Sequence, residues 1–263
     1  VAKEALSHFR QVGAVRGQAM ALVVHGLVHA MQGRAAPALD ASLRANALAR
    51  AAADLSLVAR AANVRAIALM DFGLVSEATQ VLEEALALTA RHPDEPATLR
   101  LRSNLSWILA RTAIDTRERN GPESTWQPMA RRAIAMAEGV AKAWIGRGNQ
   151  HEAYEARDCL ALSHVALGQL AQAHAELDAS KHRLRGEIPA LSVVPFHAIR
   201  ARAYLQANDT AQAMNAIEQG LVMALEHDGE INVEELWRLK SAVHEAQGEP
   251  LQALEAYRRF HEL

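Results

Sequence analysis

The chain has 263 residues, half of them hydrophobic but only 4% aromatic, with a formal net charge of -2. It is long enough for a sizeable core, and the balanced charge argues against bulk attraction to nucleic acid or to a membrane surface. No apolar run is long enough to span a bilayer and no signal-peptide pattern is present, while a single cysteine, Cys159, excludes an intrachain disulfide and fits a reducing, cytoplasmic compartment.

The apolar content is mostly Ala and Leu, so an almost all-helical protein is expected. In chain order, Ala2–Val12 reads as the second helix of a truncated first unit. Paired helices follow at about Ala14–Gln32 and Pro37–Leu55, then Leu57–Phe72 and Ser76–Arg91. A helix from about Thr98 to Ile114 is in phase with these. Its partner is late and centres on Ala130, so Thr116–Pro128, with its Asn120-Gly121-Pro122 and Pro128 breakers, reads as an inserted loop. A smaller slip surrounds Gly146–Asn149. The remaining pairs are Tyr154–Leu167 with Leu170–Arg185, Pro195–Ala207 with Ala211–Glu226, and Val233–Gln247 with Leu251–Leu263. Pro250 suits the first turn of the last helix. Sustained period-two alternation is absent. The start at Val1 and the stop within a helical pattern at Leu263 read as a piece of a longer protein.

Five markers, Gly33, Gly73, Gly168, Asn208 and Gly248, each close a helix, and each is followed five residues later by an alanine: Ala38, Ala78, Ala173, Ala213 and Ala253. The forty-residue steps from Gly33 to Gly73, Gly168 to Asn208 and Asn208 to Gly248 mark a stacked repeat. Seven residues before each marker stands a small residue (Gly26, Ala66, Ala161, Ala201, Ser241), with Ser106 in the same register. Small residues on both sides of a helix crossing let two helices approach closely. Three residues after each small position stand His29, Leu69, Leu109, His164, Tyr204 and His244, and four after each alanine stand Ser42, Leu82, Ile134, Leu177, Ile217 and Tyr257.

This order of small, bulky, alanine and bulky residues resembles the tetratricopeptide repeat (TPR). The resemblance implies an all-α right-handed superhelix of about six helical hairpins, the first incomplete, forming one repeat domain over residues 1–263. The period is forty residues rather than thirty-four, and the aromatic anchor of the fourth motif position appears only as Trp237, with Leu22, Ala62, Arg157 and His197 elsewhere. Longer, degenerate repeats resemble those of bacterial regulators such as the maltose-regulator class of transcription activators. The last segment, Leu251 to Leu263 with its Tyr257-x-x-Phe260-His261 run, looks like the final repeat helix that precedes a GGDEF diguanylate cyclase domain in bacterial signalling proteins. That likeness implies a sensory domain feeding a c-di-GMP-synthesising enzyme, with Tyr257 and Phe260 coupling to the output or to a dimer partner.

Such repeats work through a surface, and this stretch is expected to be non-catalytic and to need no cofactor. His25 and His29 are spaced for one helix face, but His29 occupies the slot filled by Tyr204, so a packing role is expected rather than a metal. Cys159 near His151 or His164 lacks an orienting third group and reads as a small hydrophobe. In stacked hairpins the first helix of each pair lines an inner groove. The candidate groove residues are Arg60, Asn63 and Asp71, then Arg100, Ser103, Trp107 and Arg111, then Glu155 and Asp158, and finally Arg202. Met20, Val23 and Leu27 extend the face at the start and Glu235 and Arg238 at the end. In peptide-receiving relatives an inward asparagine grips the ligand backbone, the role Asn63 would take. The expected occupant is a protein, a peptide or a small effector; a passive scaffold is the alternative, and dimerisation or continuation is expected at the C-terminal end. Trp126 is expected to anchor the inserted loop.

Overall fold

The computed structural model describes residues 2–93, 95–181, 190–226 and 233–262. Among them are thirteen α-helices and no strand: α1 (Ala2–Gln11), α2 (Val15–Met31), α3 (Ala35–Ala51), α4 (Leu55–Asp71), α5 (Val75–Leu88), α6 (Pro96–Glu118), α7 (Glu123–Gly146), α8 (Gln150–Ala166), α9 (Leu170–Ser180), α10 (Ala190–Gln206), α11 (Thr210–Glu226), α12 (Glu234–Ala246) and α13 (Pro250–Glu262). The end of the expected helix Leu170–Arg185 lies, beyond Lys181, outside the described residues. The chain divides into two compact units, Val1–Ile108 and Leu109–Leu263. In the first, α2 pairs with α3 and α4 with α5, and the first helices α2 and α4 touch; in the second, α8, α10 and α12 adjoin in the same way, backed by α9, α11 and α13.

Most of the described connections follow from one backbone device. Gly13, Gly33, Ala53 and Gly73 all have positive φ, at steps of twenty residues, and Gly148, Gly168, Asn208 and Gly248 continue the series. At Gly33 the N–H bonds to the Ala30 carbonyl and the next N–H, of Arg34, to the His29 carbonyl; Gly168 and Gln169 repeat the arrangement with Val165 and His164. This left-handed cap satisfies carbonyls that a helix end leaves orphaned. The forty-residue beat therefore contains a twenty-residue beat of left-handed turns, clearest from Gly13 to Gly73 and from Gly148 to Gly168. Gly146–Asn149 is one of these turns, with Gly148 at φ +71, and the register slip expected around it comes from the helix before it.

The expected loop at Thr116–Pro128 is corrected by the structure: only residues 119–122 are outside helix. Asn120 takes the left-handed cap, with its N–H on the Arg117 carbonyl and the Gly121 N–H on the Thr116 carbonyl. It falls seven residues later than the step from Gly73 requires, and Gly148 falls eight later again. About two turns of helix are thus added to α6 and two to α7, which have 23 and 24 residues against 17 in α2, α4 and α8. Pro128 sits within the second turn of α7, where its missing N–H removes a single bond. Pro195 likewise lies inside α10, which begins five residues before it.

The small positions explain the packing. Ala66, Ala161, Ala201 and Ser106 and the alanines Ala38, Ala78, Ala130, Ala173 and Ala213 are at most 1% exposed. A Cβ on Gly26 would lie 2.9 Å from Val64 Cγ1 and 3.3 Å from Ala41 Cβ, so no larger residue fits at that crossing. In the last hairpin the Ser241 hydroxyl donates to the Ala253 carbonyl, 2.9 Å away, joining the two small positions directly. The histidine slot is half-buried rather than core. His164 Nδ1 meets Gln169 Oε1 at 2.8 Å and His244 Nδ1 meets Glu249 Oε2 at 2.7 Å, each ring stapling the turn of its own hairpin. Where Arg157 replaces the aromatic anchor, it is paired with Glu176 on α9 at 2.8 Å.

Candidate functional site

The candidate groove residues divide between the two units. Arg60, Asn63, Asp71, Arg100, Ser103 and Trp107 belong to the first; Arg111, Glu155, Asp158 and Arg202 belong to the second.

In the first unit Arg60, Asn63 and Asp71 stand on α4, and Arg100, Ser103 and Trp107 on α6. Arg60, Asn63, Ser103 and Trp107 are half-buried, and Asp71 and Arg100 are exposed. Asn104 Nδ2 donates to Asn63 Oδ1, tying α4 to α6 across the face. Asn104 is not among the sequence candidates, although it falls forty-one residues after Asn63. The Ser103 hydroxyl is shielded from solvent and has no hydrogen-bond partner among the described residues. On α2 the same face is apolar: Met20 is 36% exposed and Leu27 39%. Val23, expected on the face, is instead buried against Ala45, Ala61 and Val64. Arg16 reaches away to Asp54, at 2.6 Å. Asp54 also caps α4, accepting from the Leu57 N–H; that bond, with Arg16 and against burial, holds its carboxyl below the usual range.

The second unit differs in kind. Asp158 and Arg202, expected in an open groove, are buried at 3% and 5% exposure. Leu162 beside Asp158 is buried too. At Arg202 the lengthened end of α6 contributes to this burial. Arg202 on α10 is paired with Glu118 on α6 and with Glu235 on α12. Arg238 on α12 reaches Glu118 at 3.2 Å and Glu235 at 2.9 Å. Arg111 reaches Glu235 at 3.4 Å and Asp115 at 3.7 Å. Burial alone would push the Glu235 carboxyl up, but Arg202, the hydrogen bond from Arg238 and Arg111 outweigh it and bring it down to about 2. The same carboxylates more than offset burial at Arg238 and raise its guanidinium above the ordinary value. Arg117 donates to the carbonyls of Val165 and Ala166 at the end of α8, both at 2.8 Å, and lies 5.5 Å from the Trp126 ring centre. Trp126, expected to anchor an inserted loop, is instead a buried residue of α7, 6% exposed. A cavity of about 300 Å³ lies beneath this end, lined by Ile114, Arg117 and Glu118 on one side and Val165, Arg202 and Leu239 on the other. Glu155 stays exposed, 3.5 Å from His151.

At the far end of the second unit, Tyr257 is 47% exposed, its ring 4.5 Å from His261 and 6.0 Å from Phe260. The equivalent positions one and two repeats earlier, Ile217 and Leu177, are 0% and 3% exposed. No group of three or more His, Cys, Asp or Glu side chains that could hold a metal occurs among the described residues. Cys159 is buried on α8. No described helix is long and apolar enough to cross a membrane.

Antiparallel helical hairpins with left-handed caps and small residues at each crossing make this a TPR-like repeat fold. No family model matches the chain, and none of the curated proteins matches it in sequence. Solved structures do match in fold. A single-residue variant of kinesin light chain nearly identical TPR-like repeats from Podosopora anserina superposes with a TM-score of 0.56 at 16% identity, over 85% of this chain and 97% of that one. Its counterpart without that substitution gives 0.52 at 18% identity, over 79% and 96%. BtubC (BKLC) from P. vanneervenii gives 0.53 at 18% identity, over 87% of each chain. The fold is thus that of a TPR-like helical repeat array.

Proposed function

We propose that the chain is a protein- or peptide-binding repeat domain that receives its partner on the α2, α4 and early α6 face of the first unit. The observation that supports this is the mixed character of that face. Arg60, Arg100, Asn63, Asn104 and Trp107 offer donors, amides and an aromatic plane beside the exposed apolar Met20 and Leu27. Repeat arrays present such surfaces for extended ligands. A partner backbone lying along α4 and α6 would exchange hydrogen bonds with the Asn63–Asn104 amide pair, while Trp107 would contribute flat contact area. Asp71 sits at the rim.

In the finer form of this reading, the occupied state passes to a C-terminal output through α13. Tyr257 and Phe260 are the contact, the site is cytoplasmic, and a diguanylate cyclase is the output that the Tyr-x-x-Phe-His resemblance names. Support comes from the exposure of Tyr257 at a position covered in the preceding repeats. A small effector is the second reading, and the cavity of about 300 Å³ in the second unit is what favours it, being at the lower end of ligand-sized sites.

Selection of binding peptides from a random library against the immobilised chain tests the proposal. Selected peptides are expected to lose affinity at least tenfold for Asn63→Ala and Trp107→Ala and to keep it for Glu83→Ala on α5. Peptides indifferent to Asn63 and Trp107 would refute the assignment of the face.

A further inference from the structure

In a solenoid each helix touches its nearest neighbours. The end of α6 breaks that rule. Residues 111–118 extend past α8 to reach α10 and α12, through Glu118 with Arg202, Glu118 with Arg238, and Arg111 with Glu235. They also fasten to the end of α8 through Arg117. The first-helix positions that would line an open groove in this unit, Asp158, Leu162 and Arg202, are covered.

We propose that residues 111–118 form an arm that occupies an interaction surface made by α8, α10 and α12, and that this arm is released to open the surface. Three observations carry this. First, the arm is an addition: the left-handed cap at Asn120 lies seven residues past its place in the series, so the repeat register closes its turn without these residues. Second, the tip is held by charge. Glu118 is 37% exposed on its side chain and bridges two arginines, whereas the apolar grip is limited to Ala113 and Ile114. An ion pair at that exposure is weakened by salt far more than an apolar core is. Third, the arm does not pack flush. A cavity of about 300 Å³ is lined by Ile114, Arg117 and Glu118 of the arm together with Arg202, Leu205 and Leu239, so part of the arm's underside is left unfilled. Once the arm lifts, Arg202 and Arg238 present two guanidinium groups beside Leu205 and Leu239. The segment that replaces it must bring a carboxylate to them and an apolar side chain to the leucines, as Glu118 and Ile114 do. The surface is distinct from the first-unit face of the proposed function and does not depend on it.

Hydrogen exchange on the full chain tests the arm, with Glu118→Gln as the loosened variant and Glu123→Gln, just past the turn, as the control. Glu118→Gln is expected to speed exchange of the amides of residues 112–120 at least tenfold while α4, α5 and α13 keep their wild-type rates. Raising salt from about 0.05 to about 0.5 M is expected to do the same to wild type, the range over which the Debye length shrinks severalfold. A synthetic peptide with the sequence of residues 108–122 is expected to bind Glu118→Gln at least tenfold more tightly than wild type. Unchanged exchange in residues 112–120, or faster exchange only in step with the whole second unit, would overturn the proposal, as would equal affinity of the peptide for both proteins.

Discussion

Glu118 and Arg202 are eighty-four residues apart in sequence and are paired on the inner side of the second unit, where Arg202 is 5% exposed. Arg202 also holds Glu235, so one buried guanidinium joins α6, α10 and α12. Its removal would leave Glu235, whose side chain is only 14% exposed, with weaker compensation from Arg111 and Arg238. Breaking a buried pair from one side typically costs ~3 kcal/mol or more. Arg202→Met is therefore expected to lower the urea unfolding free energy by about 3 kcal/mol, and Arg202→Met with Glu235→Leu to recover most of that loss, because no buried charge is then left alone. A double variant no more stable than the single one would show that the ion cluster is not what limits stability there.

Acid should act on the same cluster. The Glu235 carboxyl falls from an ordinary 4.5 to about 2 in the folded chain. A carboxyl with a lowered folded pKa contributes stability that is fully present above its unfolded value and is lost as pH drops through the folded one. Asp54, also lowered, acts in the same direction from its ordinary 3.8. Stability is thus expected to be flat from neutral pH to about 5 and to decline steeply between roughly 4.5 and 2. In Glu235→Gln that decline should be shallower, as read from the urea midpoint against pH. A slope unchanged by Glu235→Gln would place the acid sensitivity elsewhere.

The repeat crossings give a prediction in both directions. Gly26 has Val64 and Ala41 within 3.3 Å of where a Cβ would stand, while Gly139, mid-helix in α7, has nothing within 4 Å. Gly26→Leu is expected to cost about 3 kcal/mol by overpacking. Gly139→Ala is expected to add roughly 0.5–1 kcal/mol, the helix-propensity gain of alanine over glycine. Thermal or urea unfolding of the two variants checks both signs.

Much of this fold is readable from residue types. Small residues seven before each marker and alanines five after it identify the helix crossings, because only small side chains fit there. Glycine or asparagine at the markers identifies the left-handed caps, since those residues tolerate positive φ. Ala53, at φ +50, is invisible at that level because alanine carries no such signal. The long α6–α7 hairpin departs from the sequence reading for a similar reason. Asn120-Gly121-Pro122 correctly marks a turn, but Pro128 is no second breaker, because it stands early enough in α7 to be accommodated. Trp126, Ala130 and Ala133, all buried at helical spacing, are the signal that the helix has already begun.

The candidate site is legible only in part. The repeat register puts Asn63 on α4 one period before the α6 segment that carries Asn104, and the two amides meet. Arg202 obeys the same register and yet is buried and paired with Glu118, since a register reports neighbouring helices and is silent about a segment that crosses several of them. Nothing local in Glu118 distinguishes it from any solvated glutamate near a helix end. Its partners, at positions 202 and 238, come together only in the folded chain.

The binding of a partner on α2, α4 and the first half of α6 is tested most directly by the hydrogen-exchange footprint of a selected peptide at saturation. Protection is expected to concentrate in residues 20–31, 60–71 and 100–107 and to be abolished by Asn63→Ala. Protection confined to α11 and α13, or protection of the first unit that persists in Asn63→Ala and Trp107→Ala, would contradict it.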